Sequence, residues 1–151
     1  RDRPYLFFYL PRFNNKMKLM KKAPSKVYVV DNGFVQSTAF NLSENLGRLL
    51  ENQVFVELLR RGYIPGKTLF YYRTRNDKEI DFVTRKGSKV EQFIQVCYDM
   101  SSEKTRKREL DALVEAAEEL HCDNLLVITN SQEEKIEWKN KTFEVITYNK
   151  F

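Results

Sequence analysis

The chain has 151 residues, 42% hydrophobic and 31% charged, which is the balance of one ordinary globular domain and excludes a disordered one. No apolar run approaches the roughly 18 residues of a membrane span, so no membrane partner is expected. The formal net charge of +5 is unevenly placed: residues 1–26 hold eight basic side chains against Asp2 alone, +7, leaving −2 for the rest.

Residues 5–10 read as a short aromatic strand ended by Pro11, and 26–31 as a second strand closed by Asn32-Gly33. Between them 14–24 is a polar, basic connection, so the two strands form a hairpin with a long loop. Ser43 is the expected N-cap of a helix in which Leu46, Leu49, Leu50, Val54, Leu58 and Leu59 recur at helical spacing until Gly62. Glu51 falls on or beside the packed face of that helix, where a carboxylate is costly unless paired or bound to a metal. Strands follow at 69–73, around Glu79 and Asp81, and at 93–98, joined by short turns at Asn76-Asp77 and Lys86-Gly87-Ser88, the pattern of an antiparallel meander. A second long helix is expected over 102–120, with Leu110, Leu113, Val114, Ala117 and Leu120 as its apolar stripe. The run 124–129 reads as a strand covered on both faces, and 136–139 with 143–148 as a terminal hairpin.

The chemistry-bearing residues cluster around the meander. A strand displays i and i+2 on one face, so Glu79 and Asp81 are expected to point together, as are Gln95 and Cys97. Gln95 follows Asp81 by fourteen residues. If the two strands pair, acidic and amide oxygens converge on a patch suited to a hard cation such as Mg²⁺. The amino-terminal segment pairs basic charge with Tyr5, Phe7, Phe8, Tyr9 and Phe13, which suits a polyanion as well as it suits a solvated loop beside an aromatic strand. His121 beside Cys122 offers too few ligands for zinc and reads as a helix-terminal histidine. Trp138 reads as packing. Cys97 and Cys122 lack CxxC spacing and read as intracellular thiols. The start, Arg1-Asp2-Arg3-Pro4, has no secretory signal and no initiator methionine, so a cytoplasmic protein is expected, of which this chain is a part. No phosphate-binding glycine loop is present, so nucleotide hydrolysis would belong elsewhere.

The order of helix, three strands, helix and strand is that of the PD-(D/E)XK nuclease fold. Five pieces, at 26–33, 47–52, 71–74, 79–83 and 94–99, occur in order with similar gaps. Through them residues 27–130 resemble the uncharacterised C-terminal domain of archaeal and bacterial AAA-type ATPases, a branch of the restriction-endonuclease-like superfamily. The resemblance implies an α/β fold with a nuclease-like domain over 34–151. It also makes the basic hairpin, 1–33, the wing of a winged-helix unit. It places Glu51 at the superfamily's helix acid, Asp81 at its metal-binding aspartate, Gln95 at the second acidic position and Cys97 at the lysine; Glu79, on the strand face of Asp81, is a further candidate metal ligand by its spacing alone. Carboxylates are kept at two of these positions, and the ammonium is lost. A metal would bind phosphate and activate water, and the missing lysine would stabilise charge. Lys78, Arg73 or a residue of the second helix could supply a substitute cation. The expected nucleic-acid contacts are Arg12, Lys16, Lys18, Lys21, Lys22, Lys26 and Arg106. The leading expectation is a DNA-binding module of nuclease fold, tethered to an ATPase, with little or no cleavage. The alternatives are an active Mg²⁺-dependent endonuclease and a protein-binding regulatory or assembly module.

Overall fold

A computed structural model describes residues 6–30 and 42–151. The Asn32-Gly33 turn and the boundary at 33/34 lie outside the described residues. Strand β1 (Phe7–Leu10) pairs antiparallel with β2 (Lys26–Val29), with the short helix α1 (Met17–Met20) in the connection between them. The expected hairpin with a basic loop is therefore present. Helix α2 (Leu42–Arg60) begins at Leu42, so Ser43 lies inside its first turn and is not its N-cap.

The meander follows as β3 (Leu69–Arg73), β4 (Glu79–Lys86) and β5 (Lys89–Val96), all antiparallel. Helix α3 (Glu103–Leu120) starts at Ser102, whose side chain accepts from the Thr105 N–H, and ends at His121 in the left-handed conformation. It carries the chain across to β6 (Leu125–Thr129), which runs parallel to β5. Strands β7 (Glu134–Trp138) and β8 (Lys141–Thr147) form the terminal hairpin. Its two loop residues, Lys139 and Asn140, both take positive φ, the backbone twist that a two-residue hairpin turn requires. The sheet order is β3-β4-β5-β6-β8-β7, with β8 inserted parallel beside β6.

This mixed sheet is covered on both faces, giving an α/β architecture. On one face α2 sets Val54, Phe55 and Leu58 against Leu69, Tyr71, Phe82, Ile94 and Ile128. On the other α3 sets Leu110, Leu113, Val114 and Ala117 against Phe70, Ile80, Val83, Phe93 and Val127. Trp138 packs at the rim of this second core, its indole N–H donating to Asp111 at 2.9 Å. Among the described residues no helix is long and apolar enough to cross a membrane.

The hairpin shares the α2-side core. Leu10 and Tyr28 are buried there, and Tyr28 stacks on Phe55 with ring centroids 4.2 Å apart. Asn52 grips the β2 backbone from both sides: its Oδ1 accepts from the Val29 N–H at 3.1 Å and its Nδ2 donates to the Val29 carbonyl at 2.6 Å. Past β1 the chain runs along the outer edge of β3, where Tyr71 and Phe13 exchange backbone bonds with Pro11 and Tyr71.

Candidate functional site: an acid cluster closed by a lysine

An irregularity in β4 lies beside the site. Tyr72 pairs with Ile80 and Phe70 with Val83, so Asp81 and Phe82 together oppose the single Tyr71. This bulge breaks the strict alternation: Ile80 and Val83 face α3, whereas Phe82 faces α2. Glu79 and Asp81 share the α2 face by ordinary i, i+2 alternation, as expected, and reach the same point below α2, where Glu51 arrives from the helix.

That point is occupied by an ammonium. Lys26, at the start of β2, places Nζ 2.5 Å from Glu51 Oε1, 2.8 Å from Glu79 Oε1 and 3.6 Å from Asp81 Oδ1. The same Nζ lies 5.5 Å from the Tyr28 ring centroid and 5.9 Å from that of Tyr71. Tyr28 donates its hydroxyl to Glu51 Oε1 at 2.6 Å, and Arg73 closes the rim by donating to Glu79 Oε2 at 3.1 Å. Burial alone would lower the Lys26 pKa, but Asp81, Glu51 and Glu79 outweigh it and hold the ammonium above its ordinary value. Burial and the nearby Glu51 raise the Asp81 pKa well above the carboxylate range, with Lys26 pulling the other way. Burial also raises the Tyr28 hydroxyl, reinforced by Glu51.

Gln95 does not offer its carbonyl to this cluster. The backbone ladder between β4 and β5 reaches Phe82 and Ile94, and beyond it side chains replace the main-chain bonds. Gln95 Oε1 accepts from the Asp81 N–H at 2.9 Å, Gln95 Nε2 donates to the Glu79 carbonyl at 3.0 Å, and Asp81 Oδ2 accepts from the Val96 N–H at 2.8 Å. A buried backbone group left unpaired is costly, so this amide is committed to holding the two strands. Cys97 also departs from expectation. It is buried in the α3-side core, its thiol donates to the Asp99 carbonyl at 3.3 Å, and burial pushes its pKa up to about 11. It is a packed, unionised thiol.

Of the expected nucleic-acid contacts, Lys16, Lys18, Lys21 and Lys22 stand exposed on the loop between β1 and β2. Arg12 donates to the Arg73 carbonyl at 3.0 Å, Arg106 holds Glu134 through two bonds of 2.9 and 2.6 Å, and Lys26 turns inward. Lys78, a candidate substitute cation, instead lies 3.5 Å from Glu115 on α3. A groove of about 630 Å³ runs between the start of β4 and α3, lined by the carboxylates of Asp77, Glu79, Asp81, Glu109 and Asp111 and by the basic side chains Lys78, Lys104, Lys107 and Arg108. Glu109 was not anticipated. Its carboxyl is raised by burial, although Arg108 lies 3.2 Å away.

Most oxygens of the cluster are already engaged. Glu51 Oε1 is shared by Lys26 and Tyr28, Glu79 Oε1 and Oε2 by Lys26 and Arg73, Asp81 Oδ2 by Val96, and Gln95 Oε1 by Asp81. Among the described residues no group of three or more His, Cys, Asp or Glu side chains is arranged to hold a metal ion. With the ammonium in place the cluster leaves few oxygens free for a hard cation such as Mg²⁺, which takes several at near-octahedral positions.

Because the folded state disfavours the Asp81 carboxylate, Asp81→Asn is expected to raise the melting temperature at pH 7 by about 2–4 °C, the response of a domain this size to about 1 kcal/mol. A raised folded pKa means that stability is lost as pH rises, so the gain should shrink toward pH 4. Thermal denaturation at the two pH values checks both statements.

Residues 46–151 match the family described as Domain of unknown function (DUF4143). An uncharacterized protein of Methanocaldococcus jannaschii is 40% identical over 131 residues, which is 85% of this chain and 28% of that protein. An uncharacterized protein of Haemophilus influenzae is 33% identical over 101 residues, 66% of this chain and 23% of its own length. This chain thus spans about a quarter of the curated relatives it matches. No solved structure matches it.

Proposed function

This chain belongs to the DUF4143 family, and we propose that it is a DNA-binding module of nuclease-like fold with little or no cleavage activity, serving a longer protein that carries an AAA-type ATPase. The order of α2, three antiparallel strands, α3 and the parallel β6 supports the PD-(D/E)XK reading, with β1 and β2 as the wing of a winged-helix unit. The observation that carries the binding reading is the set of exposed lysines Lys16, Lys18, Lys21 and Lys22 on the connection between β1 and β2. Lys104, Lys107 and Arg108 of α3 add cations along the groove beside Asp81, where Glu109 and Asp111 stand among them. Cations arranged around a cleft neutralise phosphates and release counterions, which supplies affinity without requiring chemistry.

Gel-shift titrations with duplex, single-stranded and branched DNA at rising salt provide the test. Wild type should bind with affinity that falls steeply with salt. Replacing Lys16, Lys18, Lys21 and Lys22 by Gln should weaken binding at least tenfold and flatten the log–log salt slope by up to about 4, near one per lost phosphate contact. Binding that ignores salt, or none at all, sinks the reading. Incubation with Mg²⁺ should give no cleavage by wild type or Asp81→Ala. Cleavage lost in the variant would establish the alternative, a Mg²⁺-dependent endonuclease. A protein-docking role draws on a different observation: Phe7, Tyr9 and Val27 leave the outer face of the hairpin 59%, 66% and 53% exposed.

A further inference from the structure

We infer that Lys26 is the resident cation of the acid cluster, filling the position a divalent ion would take among Glu51, Glu79 and Asp81 and keeping the folded domain metal-free. The inference does not depend on nucleic-acid binding, since it concerns only what the cluster admits. Three carboxylates from α2 and β4 converge on one point, and Nζ lies within 2.5–3.6 Å of all three. A divalent ion at that point would stand against the ammonium, and like charges at such range repel strongly in a half-buried site. For the ion to enter, the lysine must leave.

The lysine is not free to leave alone. It belongs to β2, whose neighbouring residues are fixed by the Tyr28 stack on Phe55, the Tyr28 bond to Glu51 and the two Asn52 bonds to Val29. Pro24, two residues before it, accepts a short hydrogen bond from the Tyr71 hydroxyl. Both flanks of Lys26 are thus tied to the body of the domain, and the side chain is delivered to the cluster by a fixed backbone. Removing only the charge, with the backbone held, would leave Glu51, Glu79 and Asp81 facing one another with the rim arginine Arg73, on Glu79, as their counter-charge. Drawn together around an ion, these side chains would make a set of hard oxygen donors of the kind that takes Mg²⁺ or Mn²⁺.

The test is Mn²⁺ and Mg²⁺ titration of wild type, Lys26→Met, Lys26→Arg and Lys26→Met/Asp81→Asn, followed by calorimetry and by the shift in melting temperature. Wild type and Lys26→Arg should show no saturable binding in the millimolar range. Lys26→Met should bind Mn²⁺ at least tenfold more tightly than wild type and gain melting temperature with metal, and Asp81→Asn in that background should remove the gain. Tight Mn²⁺ binding by wild type overturns the inference. So does a folded Lys26→Met that binds no metal. If Lys26→Met is unfolded without metal, Lys26→Gln is titrated in its place. Where that too is unfolded, circular dichroism reads the same answer: recovery with Mn²⁺ supports the inference, and no recovery overturns it.

Discussion

Lys26→Met is expected to lower the unfolding free energy by about 3 kcal/mol at pH 7 in metal-free buffer. Breaking a buried ion pair by removing one partner typically costs about 3–5 kcal/mol, because the remaining charge stays desolvated. The lower end applies here, since the Lys26 side chain is 22% exposed and Asp81 13%. The loss should depend on pH with a defined sign. Lys26 opposes the burial that raises the Asp81 pKa, so without it that pKa rises further. A group with a raised folded pKa loses stability as pH rises, so the deficit of the variant should be largest near neutrality and shrink toward pH 4. Urea denaturation at both pH values measures it. A deficit below about 1 kcal/mol, independent of pH, would mark a solvated surface pair instead.

Phe55→Ala should cost about 3–5 kcal/mol, the range for emptying a buried aromatic site. Phe55 is fully buried and is the ring on which the hairpin rests, stacked on Tyr28 and edge-on to Phe8 at 5.8 Å. Its loss should therefore loosen β1 and β2 ahead of the rest. Limited trypsin digestion in native buffer should cut at Lys16–Lys22 sooner than in wild type. Leu113→Ala, in the opposite core against α3, should destabilise without advancing that cut. Equal early cleavage in both variants would mean that the hairpin follows global unfolding and has no separate seat on Phe55.

Much of the fold was legible because its strands and helices carry clean periods. The stripe of α3, the near-continuous apolar run of β6 and the short turns of the meander each announce one element, and the structure places all three as read. Ser43 as a cap was two residues out, a usual error at helix ends. The cluster was half legible. Glu51 stood out as a carboxylate needing a partner, and Lys26 and Tyr28 share a strand face by their i, i+2 spacing. Nothing in the sequence said that β2 lies against α2, so Lys26 was grouped with the basic loop. Nor could spacing reveal the bulge that turns Phe82 onto the face of Asp81, which depends on how β3 and β4 pair. Gln95 read as a donor to a cation because its role in bridging two strands exists only once they splay apart.

The position of β6 in the sheet has a consequence for how the chain reaches its native state. The meander and the β7–β8 hairpin are made of sequence neighbours, and such pairs close within microseconds. β6 pairs in parallel on both sides, with β5 and with β8, and neither contact is local. It must wait for α3 to cross the sheet and for the terminal hairpin to arrive, a slower event because loop closure precedes the reward. During that wait Leu125, Leu126, Val127 and Ile128 present two unsatisfied edges with no charge among them, the composition that recruits identical strands. Refolding yield should accordingly fall with protein concentration. The sheet's central strand would be both the last to be secured and the first to self-associate.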